Sequence, residues 1–355
     1  MGGDQIRAQY QSFLRRKRLT LLILLLLLLA VVVGSIAVGS SNLSIRQVLQ
    51  ALVGRADRQA AAIVRNVRLP RVLAAVAVGA ALALAGCVMQ NVLRNPLASA
   101  STLGVSQGAS FGAAFAIICL DAGIQNAAGT AVAVTIVNPY LVTLCAFVGG
   151  VLTVAVLLGL ARLRRLTPAS MVLSGVALSA LFSGGTTLLQ YFADDVKVAS
   201  VVYWTFGDLG RASYREIGLV AVLTALAFLY FFCNRWNYNA LESGAQTAKS
   251  LGVRVDGLQL VSMAACALLS AVAVAFVGII SFIGLIGPHI ARRFVGGDYR
   301  FLLPASALLG AVALLCGDLL ARLAVQPAIL PIGAVTSFLG APLFLYLVFK
   351  KGNLT

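Results

Sequence analysis

One uncharged stretch restricts the fold more than any other feature of this chain. Residues 72–93 form a run of 22 residues without a charged side chain. At ~1.5 Å per residue, a helix of that length measures about 33 Å, which is enough to cross the hydrocarbon core of a bilayer. Asn95 and Pro96 follow, and a turn is expected there because the residue before a proline avoids the helical region. The stretch therefore predicts a transmembrane helix that ends at a turn.

A second apolar run follows, and glycines mark one of its faces. Gly104, Gly108 and Gly112 are spaced by four, so they lie along one side of a helix. Another helix backbone can approach such a face closely, and we expect these glycines to pack against a neighbouring helix. Further along the chain, Pro288 suits the first turn of a short helix, where its missing N–H is not needed.

The composition extends this interpretation to the whole chain. Hydrophobic residues make up 60% of it, charged residues 11%, and the mean hydropathy is +0.97. A soluble domain averages roughly 45–50% apolar and about 25% charged residues. The apolar segments are long and dense, unlike the alternating strands of a barrel. We therefore predict an all-α, polytopic membrane protein with about ten transmembrane helices, in which residues 1–355 form a single transmembrane domain.

The expected spans are joined by short loops, and the longest inner loop is 234–257. The spans cover residues 19–39, 70–92, 104–120, 139–160, 169–192, 216–233, 258–280, a short element within 281–295, 301–323 and 332–349. Lys and Arg are concentrated in the inner segments, so the positive-inside rule places both termini in the cytoplasm, with the chain in the cytoplasmic (inner) membrane. The net charge of +16 is attributed to this orientation and to anionic lipid, not to nucleic acid.

One stretch opposes the charge rule. Residues 46–71 carry six arginines and one acid, Asp57, on the expected outer side. A solvated outer helix is one interpretation. The other is a docking surface for an acidic partner, because arginine offers a bidentate fork to carboxylates.

The inner loop contains a segment that approaches a phosphate-binding loop. Residues 243–250 read SGAQTAKS, but Ser243 and Ala248 stand where the motif G-x-x-x-x-G-K-[ST] requires glycine. Without those glycines the backbone cannot wrap a phosphate. Since no nucleophile–base set is present either, we expect no nucleotide binding and no catalytic residues. The loop residues 240–252, rich in helix formers, instead predict one short helix that Gly252 stops.

Few ionisable residues are expected at membrane depth. His289 is the only histidine and has no clustered Cys, Asp or Glu, so we expect neither a metal site nor a cofactor. Asp318 lies late in its span, four residues before Arg322, and an ion pair along the helix is the simpler interpretation. A proton relay is the alternative, since acids within a membrane are often functional.

Eight sequence blocks carry a resemblance. They are RLPR (68–71), VGAALALAG (78–86), RNPLA (94–98), LGVSQGAS (103–110), YWTFGDLGRA (203–212), AKSLGV (248–253), FIGLIGPHIARR (282–293) and LPIGAVTSFLGAPLFLYL (330–347). In this order, they resemble the permease subunits of bacterial ABC importers for iron–siderophore complexes, haem and vitamin B12. The resemblance implies ten helices per subunit, a second permease subunit (a copy or a paralogue), two cytoplasmic ATPase subunits and a periplasmic or extracellular substrate-binding protein.

The resemblance also implies roles for particular residues. The docking residues for the binding protein would be Arg68, Arg71 and Arg322, with lipid-headgroup anchoring as the alternative. The residues that couple to the ATPase would be Ala240, Leu241, Glu242, Ala248, Lys249, Leu251 and Gly252, with an ordinary solvated helix as the alternative. Helix packing and the pathway would involve Asn95, Pro96, Gly104, Gly108, Gly112, Gly284 and Pro288.

Three functions are compatible with these patterns. The favoured one is the permease of an ATP-driven importer, with an iron–siderophore or similar metal chelate as cargo and haem or vitamin B12 as alternatives. An ion-coupled secondary transporter is second, although such a carrier should show more ionisable residues within its spans. A membrane scaffold or receptor is third, but it would not need a core rich in glycine and broken by proline.

Overall fold

The computed structural model describes residues 3–39, 44–53, 57–122, 138–164, 168–326 and 328–352. Within these ranges every regular element is helical. The N-terminal part contains α1 (Gly3–Ala37), α2 (Ile45–Val53), α3 (Arg58–Ala62), α4 (Leu69–Val92), α5 (Val105–Cys119), α6 (Pro139–Arg164), α7 (Pro168–Tyr191), α8 (Asp195–Thr205) and α9 (Tyr214–Cys233). The C-terminal part contains α10 (Arg235–Glu242), α11 (Ala245–Ser250), α12 (Val255–Val277), α13 (Ile283–Val295), α14 (Tyr299–Leu323) and α15 (Ile332–Gly352).

The helix lengths confirm the predicted fold class. Among the described residues, seven helical segments are long and apolar enough to cross a membrane, and they contain α1, α4, α6, α7, α9, α12 and α14. The shorter apolar helices α5 and α15 and the 13-residue helix α13 complete a bundle of about ten helices. The chain is an all-α, polytopic membrane protein.

Helix α4 lies at the centre of the bundle, and almost all of residues 70–92 are buried. Glycines let its neighbours approach at backbone distance. A Cβ added to Gly79 would lie 2.5 Å from the carbonyl oxygen of Gly310 in α14, and one added to Gly86 would lie 2.6 Å from the carbonyl carbon of Gly284 in α13. Side chains larger than hydrogen at these positions would force the helices apart. We call the closely packed helices α4, α13 and α14 the central block.

The region expected to be a polar outer segment before α4 is largely helical. Helices α2 and α3 occupy it, and a π-helical turn, Ile63–Arg68, joins α3 to α4 without a break. The wide turn ends two residues before Pro70, whose ring crowds the preceding turn and which has no N–H to donate. The apolar residues Val48, Ala51 and Ala60 of α2 and α3 are buried, so these helices pack on the bundle, which the count of charges in this stretch did not reveal.

Two further expectations about local structure were wrong. Pro288 is the sixth residue of α13 rather than part of its first turn. It leaves the carbonyl oxygen of Gly284 without its usual backbone donor, and Gln90 Nε2 donates to that oxygen at 3.4 Å. In the inner loop, two short helices replace the one expected, because Gly244 (φ +119°) breaks the segment between α10 and α11.

Candidate functional site

An ion cluster centred on a buried aspartate occupies one end of the central block. We call this end the outer end, following the orientation that the charges predict. Asp318 of α14 is fully buried. Arg71 Nε lies 2.7 Å from its Oδ1 and Arg322 Nε lies 2.9 Å from its Oδ2. Arg71 also reaches Asp208 Oδ1 at 3.1 Å. We call Arg71, Asp208, Asp318 and Arg322 the outer charged cluster; it contains the ion pair expected along α14.

Two guanidinium groups at this end also hold the C-terminus of α1. Arg68 Nη1 donates to the carbonyl oxygens of Ile36 and Ala37 at 2.9 and 2.8 Å. Arg322 Nη1 donates to the carbonyl oxygens of Ser35 and Val38 at 3.2 and 3.1 Å. The last carbonyls of a helix lack partners within it and carry a partial negative charge, so cations are favoured there. These arginines therefore fasten α1 to the central block.

The burial of the three arginines bears on their expected docking role. Arg68, Arg71 and Arg322 are only 5%, 7% and 6% exposed, and their guanidinium groups are engaged within the chain. Reversing these charges would place carboxylates beside Asp318 and the carbonyls of α1, which would disturb folding as well as docking. Docking by these side chains stays a prediction, and a test of it needs exposed neighbours.

The glycines of α5 lie against α6. A Cβ on Gly108 would stand 2.5 Å from the carbonyl oxygen of Gly149, and one on Gly112 would stand 2.7 Å from the carbonyl carbon of Cys145. Gly104 differs, because it precedes the helix with φ +84° and its added Cβ would stand 3.1 Å from the carbonyl oxygen of Gly175 in α7. The face that the spacing predicted is thus occupied by α6 backbone.

The turn between α4 and α5 contains the other residues predicted from this stretch. The α-helix ends at Val92, and the Asn95 N–H donates to the Gln90 carbonyl oxygen at 3.1 Å. The Asn95 side chain then accepts from the Leu97 N–H at 2.9 Å. This hydrogen bond stabilises a local turn around Pro96 instead of a continued helix.

The opposite, inner end of the bundle carries α10 and α11. Of the residues expected to couple there, Glu242, Lys249, Leu251 and Gly252 are exposed, Ala240 is half-buried, and Leu241 and Ala248 are buried. Leu251 is 68% exposed although it is apolar, and Gly252 has φ +84° with open space around it. Although Glu242 is exposed overall, nearby protein atoms partly desolvate its carboxyl and raise its pKa, and the positive charge of Arg292 opposes this shift. The exposed Leu251 and the open space around Gly252 leave this tip of the inner loop accessible to another protein.

A cavity of about 730 Å³ lies beside this tip, between α4, α6, α7 and α12. It is lined by Val92, Leu93, Leu158, Ala161, Arg162, Met171, Lys249, Asp256, Gly257, Gln259, Leu260 and Met263. The loosely paired Lys249 and Asp256, 3.9 Å apart, stand at its rim. Because its walls come from distant parts of the chain, no local sequence pattern could have predicted it.

Comparison with known proteins now decides the family. Residues 25–350 match the FecCD transport family. The chain belongs to the FecCD transport family. An ABC transporter permease protein of Methanocaldococcus jannaschii is 52% identical over 316 residues, which are 89% of this chain and 90% of the relative. The vitamin B12 import system permease protein BtuC of Escherichia coli is 39% identical over 288 residues, 81% of this chain and 84% of the relative.

Solved structures agree with this assignment. One, described as an inward-facing conformation of a metal-chelate type ABC transporter, has a TM-score of 0.80 and 33% identity, and the match covers 93% of this chain and 99% of that chain. The PsaBC structure from Streptococcus pneumoniae has a TM-score of 0.56 at 16% identity, so it shows a shared fold alone. The resemblance to an iron-complex permease family is confirmed.

Sequence reasoning missed a second polar cluster in this FecCD permease, at the inner end of the central block. We call it the inner polar cluster, and it consists of Gln90, Asn91, Tyr238, Asn239, Arg292, Asp298 and Tyr299. Its members lie on α4, α10 and α13 and around the start of α14. Each residue alone is an ordinary polar residue near a helix end, so no spacing pattern could have found the cluster.

Proposed function

We propose that this FecCD permease is the membrane subunit of an ATP-driven importer that carries an iron–siderophore or similar metal chelate across the cytoplasmic membrane. The observation that carries the proposal is the likeness, over 93% of the chain, to a structure described as a metal-chelate type ABC transporter. The relative named for vitamin B12 import keeps that cargo open as an alternative, together with haem.

The proposed assembly contains a second permease subunit, two cytoplasmic ATPase subunits and a periplasmic or extracellular binding protein. Exposed apolar side chains on α7 and α15, including Leu181 and Phe338, support a partner permease or lipid on those faces. The exposed tip at Leu251 supports contact with the ATPase. In the proposed assembly both termini lie in the cytoplasm, and the whole chain forms one permease domain.

The proposal predicts how ATP hydrolysis depends on partners. The purified chain should release no phosphate from ATP, whereas addition of the ATPase that co-purifies with it should give activity. Leu251→Gln should leave the thermal midpoint unchanged, because the side chain is exposed, and should lower association with the ATPase several-fold. Pull-down and phosphate release measure both effects, and robust hydrolysis by the isolated chain would refute the proposal.

The cargo of the co-purifying binding protein would distinguish iron chelate, haem and cobalamin.

A second prediction concerns docking at the outer end. Arg46 and Arg58 are exposed there, so they can be changed without disturbing the buried cluster. Arg46→Glu with Arg58→Glu should weaken binding-protein association by about three- to tenfold at low salt, and the wild-type affinity should itself fall as salt rises, because rim charges are screened. Titration by microscale thermophoresis in two salt concentrations tests this. Equal affinities for wild type and variant at low salt would leave headgroup anchoring as the role of this basic surface.

A further inference from the structure

The inner end of the central block is hydrogen-bonded to α10, the helix that leads to the exposed tip. Asn91 of α4 is 5% exposed, and its Nδ2 donates to the Tyr238 carbonyl oxygen at 3.1 Å. Tyr238 is fully buried, and its hydroxyl lies 2.7 Å from the Ser262 hydroxyl of α12. Because a main-chain atom of α10 is held, α10 cannot shift without α4 unless this bond breaks.

Asn239 connects the next residue of α10 to the start of α14. Its Oδ1 accepts from the Tyr299 N–H at 2.8 Å, and its Nδ2 donates to Asp298 Oδ1 at 3.2 Å. The rings of Tyr238 and Tyr299 lie 5.5 Å apart in a tilted contact. One amide side chain thus bridges the main chain and side chain at the first turn of α14.

Gln90 and Arg292 add α13 to the cluster. Arg292 Nη1 donates to Gln90 Oε1 at 2.9 Å, and Arg292 Nη2 donates to the Tyr299 hydroxyl at 3.3 Å. Gln90 Nε2 donates to the Gly284 carbonyl oxygen, which Pro288 leaves without a backbone donor. All three helices of the central block therefore meet beside α10.

The same block carries the outer charged cluster at its other end. Arg71 lies twenty residues before Asn91 on α4, a separation of ~30 Å along the helix. Asp318 and Arg322 lie near the end of α14, whose first residue is Tyr299. The glycine contacts between these helices leave no space for one to slide past the other without a change of packing. A displacement imposed at one end must therefore appear at the other.

We propose that the inner polar cluster is the mechanical link through which α10 moves the central block and, with it, the outer charged cluster. The inference rests on the proposed function, in which α10 and α11 receive the movement of the ATPase. Asn239 and Asn91 act as positioning residues that hold α10 to the block.

Among the described residues, Asn91 Oδ1 and Arg292 Nε are buried without a hydrogen-bond partner. Unpaired buried groups are costly, and a second arrangement of the cluster can pair them.

A pair of asparagines on α10 allows a matched test. Asn239 bridges to α14. The side chain of the half-buried Asn237 donates to Asn234 Oδ1 at 2.9 Å and, within the described part of the chain, to nothing on another helix of the block. The complete transporter, with its co-purifying ATPase and binding protein, is reconstituted into vesicles, and phosphate release is measured with and without binding protein. Asn239→Ala should keep the basal rate and lose binding-protein stimulation by at least about fivefold, a typical coupling factor. Asn237→Ala should behave like wild type.

A conservative substitution separates the link from a general loss of structure. Asn239→Asp keeps an oxygen that can accept from the Tyr299 N–H but replaces the donor to Asp298 with a second carboxylate oxygen. Asp298 keeps its bonds to Arg300 in this variant, so a folded Asn239→Asp protein should lose stimulation as Asn239→Ala does. If Asn239→Ala does not fold, Asn91→Leu answers the same question, because it preserves volume and removes the bond to α10.

The outcomes distinguish the link from the proposed function. If neither wild type nor Asn237→Ala shows binding-protein stimulation, the importer proposal fails. If wild type is stimulated and a folded Asn239→Ala or Asn91→Leu is stimulated equally, the link is overturned and the inner polar cluster is structural.

Discussion

Gly108→Leu is expected to abolish most of the folded protein. A Cβ at this position would stand 2.5 Å from the Gly149 carbonyl oxygen and even closer to the Thr153 hydroxyl. Neither neighbour is the movable end of a long side chain, since one is backbone and Thr153 Oγ1 also donates to the Gly149 carbonyl oxygen. Helices α5 and α6 must separate to admit the side chain. Overpacking typically costs about 1–3 kcal/mol, and we expect the upper end or more here because the clash is with backbone.

Gly159→Leu on α6 is the control for that variant. Its added side chain meets open space, and it makes the same change in composition and helix propensity. Fluorescence-detected size exclusion in detergent should show a monodisperse peak for Gly159→Leu and loss of that peak for Gly108→Leu. A wild-type thermal midpoint for Gly108→Leu would mean that this face of α5 does not contact α6.

Asp318→Ala should be the most damaging change of a single charge. The carboxylate is fully buried between Arg71 and Arg322. Its removal leaves the buried Arg322 without its counter-ion and, among the described residues, leaves Arg71 with only the half-exposed Asp208. Breaking a buried pair in this way costs about 3–5 kcal/mol. The thermal midpoint in detergent should fall sharply.

Two further variants test why Asp318→Ala loses stability: one changes an exposed ion pair, and the other removes all three buried charges together. Asp121→Ala removes an exposed carboxylate that pairs with Lys197 at 2.6 Å, and it should cost about 1 kcal/mol or less. Combining Asp318→Leu with Arg71→Met and Arg322→Met removes every charge of the buried trio and should be more stable than Asp318→Ala. A midpoint for Asp318→Ala that equals that of Asp121→Ala would contradict the account of the cluster.

Local patterns in the sequence predicted where the helices lie better than they predicted which helices and side chains contact each other. The span expected at 70–92 corresponds to Leu69–Val92 because an uncharged run has sharp limits. The pair of Asp318 and Arg322 follows from a spacing of four along one helix. Arg71, in contrast, lies 247 residues from Asp318, and only the three-dimensional packing brings them together. The glycine spacing likewise predicted a close contact but could not say that α6 makes it.

The functional surfaces were predictable in the same limited sense. The position of the inner loop follows from topology, and its exposed tip includes Leu251 as the resemblance implied. Burial of Leu241 and Ala248 was not predictable, because the turn at Gly244 decides which faces of α10 and α11 point inward. The sequence predicts surface charges for the arginines of the outer end, because it does not reveal that Asp318 and the carbonyls of α1 surround them.

The fastening of α1 has a consequence for biosynthesis. Arg322 donates to the Ser35 carbonyl oxygen from 287 residues further along the chain. At ~5–20 residues per second, the ribosome needs about 15–60 s to make the intervening chain. Helix α1 is therefore made well before α14, and its last carbonyls stay exposed to headgroups and water until α14 is in place. Nascent chains stalled before α14 should leave the outer end of α1 open to proteases that cannot reach it in the finished permease.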